Sequence, residues 1–488
     1  PTRRQRCAPD PPDDGRRGQT VRSLLKALAS SCYNKFRATD RAPRSEKMQH
    51  AVARFALAAA ISGLAAWAVL PAAADPAAPS SPATSSAHSV LDSDAQAFVT
   101  LVLEYGTYEP LEVDAYYGPR ALADAATAHP RPLAQLAPDA EALRARIQAT
   151  TVSGDSVARK RYLLAQLTAL RTRILIKQGR RFSFVDEAER LYGARPTLHP
   201  LESYDGLLAQ IDRLVPGDGP LNERLVAYRK LMNAPSAKAA DVIGAAIREC
   251  RARVLAHIAL PPGESFDLTY VSGKPWSANN SYQGGYKSKI EINTDFENTL
   301  SHAITLGCHE GYPGHHVQLS LQEQDLVRRR GWVEFTLLPL FSPTTLIAEG
   351  AANYGAGLAF PGDDAVAFER STLCPLAGID CKTAADQARL DALMRKLLSA
   401  EYVIAADYID GRIDHDQALA EEERYELTDA RLAERRLDFF RTYGSYIVNY
   451  ALGQDMVESY VDQVPPGPAR WTRFLSMIVG PTVPSDLK

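Results

Sequence analysis

The sequence predicts a mainly α protein. By its length the chain makes one large helical domain or two lobes, with a small β element beside a histidine-bearing helix. Three observations predict it. The 488 residues are 45% hydrophobic and 23% charged, the make-up of a folded chain with a sizeable core. Apolar residues recur at helical spacing through most of the chain. One region, residues 265–295, instead alternates apolar and polar residues between turn signals.

The N-terminus stands apart from that domain. Residues 1–47 are rich in Arg, Pro and Asp, have no hydrophobic period, and precede a start-like Met48. They read as an upstream extension from a gene start placed too early. Residues 48–74 read as a secretory signal peptide. Arg54 precedes the apolar run Phe55–Leu70, and the small residues Ala72 and Ala74 mark cleavage after Ala74. The run of 16 residues is short for a membrane span, which needs about 20. The mature chain is thus expected in the periplasm or secreted from a bacterium, with no stable membrane span. Residues 75–90, rich in Pro, Ala and Ser, read as a flexible tether, and residues 91–488 as the helical domain.

Residues 1–74 hold 13 Lys+Arg and 5 Asp+Glu. The mature part keeps 42 basic and 53 acidic residues, a net charge of −11. Such a balance argues against nucleic acid as a partner. Four cysteines remain after cleavage. Cys374 and Cys381 flank the turn-rich "PLAGID" and are the expected disulfide. Cys308 reads as a small buried residue, since no His or Asp pattern around it supports a cysteine nucleophile.

Helical periods run through 94–106, 158–178, 204–215, 240–258, 388–409 and 429–444. In "KSKIEIN", Ser288, Ile290 and Ile292 point one way and Lys287, Lys289, Glu291 and Asn293 the other. That is a strand with one buried face. A strand at 286–293 with an open edge could also take an extended peptide.

The helix that follows carries "GCHEGYPGHHVQ", residues 307–318. The chain has 10 histidines, and four of them, His302, His309, His315 and His316, fall between 302 and 316. Imidazole is the commonest neutral metal ligand. In His-Glu-x-x-His the two histidines face one metal from successive helical turns. Here Pro313 takes the place of the second histidine, so the helix must bulge or unwind. A two-residue bulge around Tyr312–Pro313 makes His315 the partner of His309. His316 is its rival, or a contact behind the ligands or to substrate. Glu349, in "LIAEGAANYGAGL", supplies a third ligand from a later helix and leaves one position for water. Zinc, one per chain, would acidify that water, and Glu310 would take its proton. Tyr443, Tyr446, Tyr450 and Arg441, crowded into "RTYGSYIVNYALG", are the candidate oxyanion donors.

These residues resemble the bacterial family called "domain of unknown function 885". Its signature His-Glu-Gly-x-Pro-Gly-His-His is intact from His309 to His316, with Gln318 after it. "SKIEIN" resembles the family's preceding strand, and "NYALG" its Tyr-x-x-Gly segment, a likeness that makes Tyr450 the first choice of oxyanion donor. The family is grouped with gluzincin-like metallopeptidases. The resemblance implies a helical metallopeptidase-like fold around a cleft, zinc on His309, His315 and Glu349, and Glu310 as base. The chain departs from the family's Glu-Gly-Trp-Ala-x-Tyr-x-Glu at Ala351 and Ala356, and from its C-terminal Pro-Gly-Gln.

The expected function is therefore an exported zinc peptidase acting on oligopeptides. Two alternatives stand beside it: a peptide-binding protein that keeps the fold without turnover, and a metal amidohydrolase acting on a non-peptide amide.

Overall fold

Hydrophobic spacing becomes helix where the sequence places it. A computed structural model describes residues 85–488 apart from Pro275 and Glu297, with backbone alone for 85–90. The extension 1–47, the signal peptide 48–74 and most of the tether lie outside the described residues. The helical periods appear as helices Ser85–Gly106, Asp155–Lys177, Asp205–Leu214, Ser236–Leu255, Ala384–Ile409 and Ala430–Tyr443. The tether is corrected at its end, because residues from Ser85 onward are helical. No Pro or Gly interrupts residues 85–105, so the helix that Leu91, Phe98 and Leu101 anchor in the core runs back into the serine-rich stretch.

The architecture is mainly helical with two small sheets. Its strands are β1 (Val113–Tyr116), β2 (Ser265–Val271), β3 (Ala278–Gly284), β4 (Lys287–Asn293) and β5 (Leu337–Pro339). β1 pairs antiparallel with β5, and the register slips between Val113 and Ala115, leaving Asp114 in a bulge. The second sheet has the order β2-β4-β3, with β2 parallel and β3 antiparallel to β4. Ser288, Ile290 and Ile292 of β4 are buried, as their alternation requires. The expectation of an open edge at 286–293 is corrected: β4 is the central strand, and its backbone groups are taken on both sides. A peptide adding to this sheet would have to use β2 or β3.

Three hydrophobic clusters fill the described residues. One gathers Phe98, Leu163 and Trp332, and another Leu397, Phe440 and Tyr446. The third holds Cys308, Tyr312 and Val317 of the histidine motif, with Ile347, Tyr354 and Val457. Arg159, fully buried, grips Glu334 through two hydrogen bonds of 2.6 and 2.9 Å and ties helix Asp155–Lys177 to the segment entering β5. No helix among the described residues is long and apolar enough to cross a membrane.

Candidate metal centre

Helix Leu300–Leu306 is capped by the Thr299 hydroxyl, which accepts from the His302 N–H. It passes into a π-helical turn, Gly307–Gly311, that carries His309 and Glu310. The chain then leaves the helix, and a new one, His315–Gln322, begins. Pro313 has no N–H to continue the ladder, so the helix breaks outright where the sequence suggested a bulge. The break is tight. The Gly314 N–H donates to the Cys308 carbonyl at 2.9 Å, and a Cβ on Gly314 would lie 1.7 Å from the His309 carbonyl oxygen. This fold-back sets the His309 and His315 rings 4.6 Å apart at 89°.

Glu349 arrives from helix Pro343–Ala359. Its Oε2 lies 3.4 Å from His309 Nε2 and 3.9 Å from His315 Nε2. The three candidate ligand atoms lie within 4.8 Å of one another, in the sole such group of three or more among the described residues. Two ligands each about 2.0–2.1 Å from a tetrahedral zinc stand about 3.3 Å apart, so the spacing fits one ion. Glu349 Oε2 is buried with no hydrogen-bond partner, while Oε1 accepts from Tyr446 at 3.1 Å. His309 Nδ1 faces Asn353 Oδ1 at 2.9 Å. Donation there leaves Nε2 for the ion, the usual way a ligating histidine is oriented.

The charges agree with a cation at this point. Burial lowers the His309 pKa, but the close approach of Glu349 and the charges of Glu310 and Glu349 lift it to about 9. Burial and the His309 charge press His315 down to about 4. Burial works against the Glu349 carboxylate, yet its contacts with the two histidines hold its pKa below the usual value. A divalent ion bound here would displace the His309 proton.

Glu310 is not in the ligand group. It is 7% exposed, its Oε2 has no partner, and Asn280 of β3 donates to its backbone carbonyl at 2.7 Å. Burial raises its carboxyl to about 7; the His309 charge opposes this, and those of Glu349 and Asp114 add to it.

The two segments "EGAANYGA" and "NYALG" meet face to face. Helices Pro343–Ala359 and Val448–Val461 cross at Gly350 and Gly453, where a Cβ on Gly350 would lie 2.3 Å from the Gly453 carbonyl. Only glycine permits that approach; Tyr446 reaches Glu349, and the Tyr450 ring lies 5.9 Å from that of Tyr446. Burial and the Glu349 charge push both tyrosine hydroxyls up, so each keeps its proton to donate. Glu310 also acts on Tyr450, which is partly exposed. Arg441 points elsewhere, to the Tyr408 hydroxyl at 2.6 Å.

His316 turns away from His309 and Glu349. It is fully buried between Ser288 of β4 and Glu264, at 2.9 Å from each. Glu264 also accepts from Tyr312 at 2.6 Å and Arg251 at 2.7 Å. Burial alone would raise its pKa; these donors hold it at about 2. His316 thus braces the motif against the sheet. His302 also stays outside the ligand group.

Cys374 and Cys381 form one disulfide and Cys250 and Cys308 another. Cys308 is fully buried, as the sequence suggests, and the second bond gives it a partner that the sequence did not indicate. That bond staples the turn carrying His309 to helix Ser236–Leu255 across a sequence separation of 58. The double variant Cys250→Ala/Cys308→Ala is expected to lose about 2–4 kcal/mol of stability in denaturant titrations. An unchanged midpoint would show that the link adds nothing.

No family model matches the chain, and no curated protein matches it. Two solved structures resemble it weakly. One is a provisionally named lipoprotein from Colwellia psychrerythraea, 16% identical, with a TM-score of 0.46 over 72% of this chain and 65% of that one. The chain therefore spans about two thirds of that protein's length. The other is a protein called BsuCP, 10% identical, with a TM-score of 0.35 over 77% of this chain and 85% of that one. At these scores neither likeness carries a function over.

The sequence reading missed several residues that the site uses. Asn353 lies four positions after Glu349, and that helical spacing alone places both on one face. Glu264, Asn280 and Asp114 come from distant segments, and no local pattern marks them.

Proposed function

We propose that the chain is an exported zinc-dependent peptidase acting on oligopeptides. The observation that carries the reading is the convergence of His309, His315 and Glu349 at the spacing of one tetrahedral ion, beside the unpartnered carboxylate of Glu310. Bound zinc would supply Lewis acidity and acidify a water molecule. Glu310, buried and held at its backbone by Asn280, would act as the base that takes a proton from water and returns it to the departing amine. Tyr450 donates to the oxygen that gains charge at the scissile carbonyl. Tyr446 and Asn353 keep Glu349 and His309 in place. The side of β3 away from β4 has no strand partner among the described residues and runs beside Glu310, so an extended peptide can align there. Two disulfides suit an exported chain. The motif's resemblance to the gluzincin-like family supports the same reading.

The test is metal content of the purified chain. Wild type is expected to hold about one zinc after dialysis against it, and His309→Ala to hold none. A wild-type chain that takes up no divalent ion would overturn the reading. Zinc and peptide binding without cleavage would favour the non-catalytic alternative, to which the departures at Ala351 and Ala356 point.

A further inference from the structure

Asp114 sits at the bulge where β1 loses register with β5. Bulges of this kind re-aim a side chain, and here neighbouring Ala115 is buried while Asp114 is exposed. β1 lies against β3 through Tyr117 and Tyr282, whose rings are 5.3 Å apart. β3 in turn holds Glu310 through Asn280. The Asp114 charge is felt at Glu310, Tyr443 and Tyr446, and that of Glu349 is felt at Asp114. Although exposed, Asp114 is crowded enough by protein that its carboxyl is pushed up to about 6.

No described arginine or lysine pairs with Asp114. A zinc ion does not settle this charge either. Its two positive charges are matched by Glu349 and Glu310, and Asp114 is left over. The Oε2 atoms of Glu310 and Glu349, on side chains more than nine-tenths buried, have no hydrogen-bond partners. The site as built is one cation short.

We propose that Asp114 determines specificity by binding a positively charged group of the substrate, an α-ammonium or a lysine or arginine side chain next to the scissile bond. The inference rests on the peptidase reading. Its test uses binding, which needs no turnover. Three matched tetrapeptides serve as probes: one with a free α-amine and no other cation, its N-acetylated form, and an acetylated form carrying lysine. Affinities are measured by calorimetry on zinc-loaded protein that retains Glu310, using ketomethylene isosteres of the probes that cannot be cleaved, with and without Asp114→Asn or Asp114→Glu.

The parent is expected to prefer one cationic probe over the neutral one by about tenfold or more. Asp114→Asn is expected to erase that preference and Asp114→Glu to restore part of it. Whichever probe loses its advantage identifies the source of the charge. Equal affinity for all three probes in the parent, or a preference that survives Asp114→Asn, would overturn the proposal. Failure of the peptidase reading shows separately, as absence of zinc or of cleavage in the wild-type chain.

Discussion

Glu310→Gln is expected to keep one bound zinc and to lower kcat/KM on a cleavable peptide by about 10²–10⁴-fold. Glutamine preserves the volume and the neutral hydrogen-bonding character of the side chain but cannot accept a proton. Glu310 is separate from the three candidate ligands, so metal content should not fall with activity. The loss should appear in kcat more than in KM, because proton transfer belongs to the transition state. The carboxyl is already pushed up towards neutrality by burial, which suits a group that must take a proton and give it back. Metal analysis beside steady-state kinetics checks both halves. Full activity in the variant would remove Glu310 from the mechanism. Loss of zinc would make it a ligand.

Gly314→Ala is expected to abolish zinc retention and to cost about 3 kcal/mol of stability. A methyl group at this position would overlap the His309 carbonyl oxygen, which cannot yield without moving the ligand itself. Relief requires opening the turn between His309 and His315. The 3.4 and 3.9 Å approaches to Glu349 then no longer converge on one point. Gly357→Ala is the control. It lies in helix Pro343–Ala359 with open space where its Cβ would go, and alanine there should be neutral or slightly stabilising. Metal content and a denaturation curve for both variants decide the matter. A Gly314→Ala chain that binds zinc like wild type would show that the fold-back does not set the site.

The helices were legible because their apolar period is long and regular, as in 158–178 and 388–409. The buried face of β4 was legible for the same reason at period two. What local pattern could not supply was pairing. β4 reads as a strand, but nothing in "KSKIEIN" says that partners flank it on both sides. Cys308 reads as small and apolar, and only the path of helix Ser236–Leu255 brings Cys250 to it. His309, His315 and Glu349 stood out by residue type and spacing, whereas His316 became distinct from His315 only when Glu264, 52 positions upstream, met its ring. Gly350 and Gly453 likewise acquire meaning only as a pair.

The Cys250–Cys308 bond also constrains how the protein can be made. Residue 308 immediately precedes His309, so the bond ties the backbone at that candidate ligand to helix Ser236–Leu255 only once an oxidant has acted. In a reducing cytosol, residue 308 would instead carry a free thiol. A thiolate is a soft donor that competes well for zinc and for copper in its reduced form. Such a chain could capture an ion through the wrong atoms and then resist later oxidation. Expression host, and the order in which oxidation and metal addition occur, are therefore variables of the chemistry as much as of yield.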